Sequence, residues 1–277
     1  MQGSMTTHSH RRHSPGRWMG TCILMLCLPM SATPGGFDEE NYARVLRQHT
    51  EGVDDVAGTR VAYRDLSNST AWKKVIESLA TFDPNTLDGR AQELAFWINA
   101  YNILAIDLVR RNLPLESIRD LGWLLRPVWK KKAGTIGDRA YTLHEIEHKI
   151  LRPMGDPRIH AALVCASTSC PSLMREPWRA AVIDEQLDRE MGTFLADPEK
   201  GARFEPAENT LFLSSIFRWF QVDFDAEGGS VAFVRRRLPA NVQAQLDAAG
   251  DDLEVDFMPY DWSLNALSDG GRQGRMP

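Results

Sequence analysis

The sequence predicts an α+β fold: a helix-rich single domain around a small, mainly antiparallel sheet. Three observations predict it. Segments with helical apolar periodicity outnumber segments with two-residue alternation. The strand candidates are joined by short turns, as hairpins, and not by helical crossovers. The longest periodic run, residues 92–111, is apolar almost all round, as a helix at the centre of a core would be.

In chain order, residues 38–48 read as a helix with Phe37, Tyr42, Val45 and Leu46 on its apolar side. Residues 71–80 read as a second helix, broken at Asp83, Pro84 and Asn85. In 92–111, Leu94, Trp97, Ile98, Tyr101, Leu104, Ala105 and Leu108 recur at helical spacing, and Asn112 and Pro114 end the run. Residues 133–142 alternate around Gly137 and Asp138 and form a hairpin. Thr142 and Glu145 make a capping-box pair opening a helix over 143–152. The apolar run 158–166 reads as a buried strand. Residues 202–206 and 210–213 form a second hairpin, 214–224 and 230–238 are helices, and 253–258 is a last strand.

The chain has 277 residues, 43% hydrophobic and 25% charged, enough to bury one substantial core. Its formal charge is −5; residues 1–36 hold three arginines and no acid, so the remainder carries −8. A net acidic body argues against nonspecific binding to nucleic acid or to anionic membranes. The basic triplets at 130–132 and 235–237 are solvated faces.

Residues 1–34 have the order of a secretory signal peptide: a basic stretch, an uncharged apolar run over 18–30, then Ser31, Ala32 and Thr33. The apolar run is too short to span a bilayer comfortably. The expectation is therefore a periplasmic or secreted protein with no stable membrane span after cleavage. Its globular domain covers 37–266 and a polar, glycine-rich tail covers 267–277. Cleavage would remove Cys22 and Cys27 and leave Cys165 and Cys170.

Chemistry concentrates between Arg158 and Pro171, where a histidine and two cysteines share a short stretch. On a strand, alternate residues share a face. That parity puts Cys165 opposite His160 and makes it a small core residue. Cys170 lies beyond Ser167, Thr168 and Ser169, on a loop that can return to the His160 face. Serine hydroxyls and backbone N–H groups there could bind substrate or an oxyanion. In an oxidising compartment the two cysteines could instead form a disulfide.

Two further motifs bear on the same chemistry. Glu147 falls within the apolar arc of the helix 143–152, and a buried carboxylate needs a partner, either an arginine or an imidazole to be oriented. His144 and His148 flank it in an H-x-x-E-H pattern, but no third zinc ligand stands out, so no metal or other cofactor is expected. Asn99 and Asn102 share a face of the apolar helix; their amides either bridge backbone or contact substrate. Tyr260, Asp261 and Trp262 read as closure of the fold.

Residues 95–102, 146–152, 156–171, 213–219 and 260–265 together resemble the bacterial and plant family called domain of unknown function 547. The family pattern carries an acid or another residue where this chain has His144, which weighs against zinc. In residue roles, though not in order, the resemblance extends to papain-like thiol hydrolases, with a papain-like fold as one form of the α+β class. It implies Cys170 as nucleophile, His160 as base and Glu147 as orienter, with Asn99, Asn102, Ser167 and Ser169 contacting a small peptide or thiol substrate. The implied reaction is hydrolysis or acyl transfer on an amide or thioester of a glutathione-like peptide. The alternative is a non-catalytic periplasmic binding module with a Cys165–Cys170 disulfide.

Overall fold

The computed structural model describes residues 37–122 and 127–268. The expected signal segment, with Cys22 and Cys27, and all but the first two residues of the expected tail lie outside the described residues. Helix α1, Glu39–His49, starts at an Asp38 cap whose carboxylate accepts from the Asn41 N–H. A two-stranded antiparallel ribbon comes next, β1 (Thr50–Gly52) and β2 (Thr59–Val61). The short turn α2 (Tyr63–Leu66) leads into α3 (Thr70–Thr81).

Helix α4, Arg90–Arg111, is the centre of the larger core; every residue from Leu94 to Val109 is buried. Around it packs the larger apolar cluster, which includes Trp72, Leu79, Phe96, Tyr101, Leu104, Leu151 and Leu163. The expected hairpin is β3 (Lys132–Ile136) with β4 (Arg139–Thr142), and Gly134 in it leaves no room for a Cβ against Leu104. The Thr142–Glu145 capping box is present and opens α5, Leu143–Glu145. The helix then widens into a π-helical segment, Ile146–Leu151, a departure from the regular helix expected.

The strand expected over 158–166 is absent. Pro157–Ala161 is a 3₁₀ helix capped by Asp156, and the chain beyond it is loop. The short apolar run suggested extension, but Asp156 and Pro157 start a helical turn, and Asn102 ties down the loop beyond it. The Asn102 amide bridges the Ala162 carbonyl and the Val164 N–H, both at 2.9 Å.

A second, smaller apolar cluster joins α6 (Ile183–Ala196) to the C-terminal third. There β5 (Ala202–Glu205) and β6 (Thr210–Leu213) form the expected hairpin. Short helices α7 (Ser215–Trp219), α8 (Gly229–Arg235) and α9 (Ala240–Ala249) lead to β7 (Glu254–Phe257), which pairs with β6 in parallel. The fold is thus α+β, but among the described residues its strands form three small separate sheets and not one. Among the described residues, no helix is long and apolar enough to cross a membrane.

Candidate functional site

The loop after Ala162 is stitched to the C-terminal segment. Ala166 has φ of 64°, which turns the chain. The Thr168 N–H then donates to the Ser263 carbonyl at 2.8 Å and the Ser169 N–H to the Asp261 carbonyl at 3.2 Å. The Asn265 N–H donates back to the Ala166 carbonyl at 3.1 Å. These bonds bring Tyr260 and Trp262 beside Cys165 and Cys170, at one cavity of about 150 Å³.

His160, Cys165, Cys170 and Glu147 all line that cavity. Cys165 and Cys170 are joined by a disulfide. Cys165 is not the core residue that strand parity made it: without the strand the parity lapses, and Cys165 is partly exposed while Cys170 is 2% exposed. The Cys165 N–H donates to the Cys170 sulfur at 2.8 Å, and the Tyr260 hydroxyl lies 3.3 Å from the same atom.

The carboxylate that orients His160 is Asp223, not Glu147. His160 Nε2 lies 2.7 Å from Asp223 Oδ2, and the Arg152 guanidinium grips both Asp223 oxygens at 2.6 and 2.7 Å. Burial works to raise the Asp223 carboxyl, but the bonds from His160 and Arg152 outweigh it and hold the group well below the usual carboxylate range. An ionised carboxylate only accepts, so Nε2 carries the proton and Nδ1 keeps its lone pair. Burial lowers the His160 pKa, with Asp223 opposing, so the ring is neutral at pH 7. Phe220 stacks on the ring with centroids 4.1 Å apart.

Glu147 enters the cavity from the π-helical segment. Among the described residues its carboxylate makes no hydrogen bond or ion pair. Burial raises it to about 7; Arg152 pulls the other way and Asp223 adds to the rise. His148 is tied up: Arg152 Nη1 donates to its Nδ1 at 2.6 Å, and burial, with His144 and Arg152 beside it, lowers the ring to about 4. The His144 and His148 rings lie 4.2 Å apart, tilted by 40°. Among the described residues, no group of three or more metal-ligating side chains is gathered for an ion.

The other expected substrate contacts do not reach the cavity. Asn99 holds Trp178 through both backbone groups, at 2.8 and 3.0 Å, as Asn102 holds the His160 loop. Ser169 accepts from the Asp261 N–H at 2.9 Å, and Ser167 lies 3.0 Å from the Cys165 sulfur. The N–H groups of Thr168, Ser169 and Cys170 are all bonded to backbone carbonyls, so they are not free for an oxyanion. In their place stand two tyrosines. Burial pushes the Tyr101 hydroxyl well above its usual pKa, and burial likewise raises Tyr260, so both remain proton donors.

Sequence reasoning missed Asp223, Arg152, Tyr101 and the aromatic wall of Trp129, Trp219, Phe220, Tyr260 and Trp262. One signal was available: Asp223 is an acid set between Phe220 and Phe224, just as Glu147 lies in an apolar arc.

The fold and cavity define an α+β protein in which a carboxylate-oriented histidine shares a cavity with a cysteine pair. Residues 84–195 match the model of a protein family described as protein of unknown function DUF547, the family that the motifs resemble. The matched stretch holds Glu147, His160, Cys165 and Cys170; Asp223 and Tyr260 lie beyond it. No curated protein and no solved structure matches the chain.

Proposed function

We propose that the protein is an exported thiol-dependent hydrolase or acyl transferase acting on an amide or thioester of a small, glutathione-like peptide, with the disulfide as its resting state. The observation that carries this reading is His160, held by an ionised Asp223 and lining the same cavity as Cys170. Two molecules of a small thiol would first supply two electrons and two protons between them, opening the disulfide to two thiols and leaving joined as their own disulfide. His160 Nδ1 then takes the Cys170 proton. The Cys165 N–H and the Tyr260 hydroxyl lower the cost of the thiolate. The thiolate adds to the carbonyl carbon, and the Tyr101 hydroxyl donates to the oxyanion. His160 returns the proton to the departing amine or thiol, and water or a second nucleophile releases the acyl group.

A second reading is favoured by the disulfide itself: a periplasmic binding module whose cavity never opens its sulfur pair. The test is to reduce the protein with a small thiol and follow the alkylation rate of Cys170 against pH. An activated site gives an apparent pKa at least about one unit below ~8.5, the value of an unperturbed thiol. A value at or above ~8.5, or a pair that small thiols do not reduce in the folded protein, leaves the binding module.

A further inference from the structure

The cavity has one polar feature that the acyl-transfer reading does not use. Glu147 faces it with no partner among the described residues, while the nearby charges cancel: Arg152 is engaged with Asp223 at 2.6 Å. Part of the same lining is aromatic. Tyr260 and Trp262 lie 4.5 Å apart, Trp219 and Tyr260 4.8 Å, and Trp219 and Trp262 5.5 Å. Trp219 is 43% exposed, so the wall runs from the cavity to solvent. Trp262 already carries one cation, the Arg119 guanidinium, 5.0 Å from its ring centre.

We propose that this cavity binds an organic ammonium group, seated against the Trp219–Tyr260–Trp262 wall and paired with the Glu147 carboxylate. The inference rests on the reading of the cavity as the substrate site and gives the recognised end of the substrate a positive charge. Aromatic faces present the negative side of their quadrupole to a cation. A partly buried carboxylate with no partner among the described residues supplies the complementary charge and gains one in return. An anion would meet both as repulsion, and a neutral apolar group would leave Glu147 unpaired.

Ammonium binding should also shift a proton. Glu147 is partly protonated near pH 7 when the cavity is empty, because burial raises it to about 7. The other titratable groups facing it do not change charge there. His144, His148 and His160 all have lowered pKa values, Tyr101 and Tyr260 have raised ones, and Asp223 stays ionised against Arg152. A cation favours the carboxylate, so affinity rises with pH up to about 7 and then levels off.

The experiment titrates the full chain with choline and with its neutral carbon isostere, 3,3-dimethylbutan-1-ol, following tryptophan fluorescence. The expected result is saturable choline binding about tenfold or more tighter than the isostere. Glu147→Gln should bring the two to within about threefold and remove the pH dependence. Equal binding of the two by the wild type, or no saturable change with choline, overturns the proposal. So does a wild-type preference that shows no rise toward pH 7. Binding is read with the disulfide closed and again after reduction. Choline binding with an inert Cys170 therefore sinks only the thiol reading, and an activated Cys170 without choline binding sinks only this one.

Discussion

Asp223 matters at the residue scale because it decides which nitrogen of His160 can act. With the ionised carboxylate at Nε2, the lone pair is confined to Nδ1. An amide in its place could donate as well as accept, and the tautomer would no longer be set. Asp223→Asn should therefore lower the Cys170 acylation rate about 10²–10⁴-fold while leaving the fold intact, measured as single-turnover acylation with circular dichroism as control. A rate within about threefold of wild type would remove His160 from the role of base. Asp223 was hard to find in the sequence because it stands far from His160 along the chain. Glu147 was legible, since a carboxylate in an apolar arc is conspicuous, but the imidazole expected beside it is bonded to Asp223 instead. Cys165 was misplaced for a simpler reason: its facing was deduced from a strand that does not form.

At the scale of elements, helix α4 and the segment Ile146–Leu151 position the site. Helix α4 was readable because sixteen consecutive buried residues require an apolar run that few other structures could accommodate. The asparagines interrupting it are backbone clamps. Asn102 supplies two hydrogen bonds to groups that flank Leu163, next to His160 and Cys165. Asn102→Ala should cost about 2–4 kcal/mol of stability, because it strands a buried carbonyl and a buried N–H. Chemical denaturation would measure it; a loss below about 0.5 kcal/mol would mean that the loop is held by something else. The π-helical turn shifts the facing of residues after Ile146 relative to a regular helix, so the apolar arc of a regular helix places Glu147 only approximately. Local sequence marks where a helix begins, as at the Thr142–Glu145 box, but not where a wider turn is inserted.

For the whole molecule, the buried site should leave a signature in the pH dependence of stability. His148 is lowered to about 4 and His160 is lowered too, so the unfolded chain binds more protons than the folded one below ~6.5, and stability falls as pH drops through that range. Glu147 acts in the opposite sense. Its folded pKa is about 7 against an unfolded value near 4.5, so its contribution falls as pH rises between the two. Glu147→Gln removes only this second effect. Its stability relative to wild type should grow by about 1–3 kcal/mol between about pH 4.5 and about pH 7, read from urea denaturation at several pH values. A constant difference would mean that Glu147 has a charged partner in solution.

The sequence by itself determined periodicity and punctuation: α1, α3, α4, both central hairpins, the capping box and the α+β class. These arise from spacing within a few residues, where the chain's own geometry dictates which side chains share a face. It also marked the DUF547 motifs and singled out His160, Glu147 and the cysteines, which the structure places around one cavity. Only the tertiary structure decided that Asp223 and Arg152 come to His160. It likewise decided that 158–166 is not a strand, and that Tyr260 and Trp262 close over the cysteines. Those outcomes depend on contacts between segments 60 to 100 residues apart, such as His160 with Asp223 and Cys170 with Tyr260. Burial and hydrogen bonding across such distances outweigh local preference, and no local pattern encodes them.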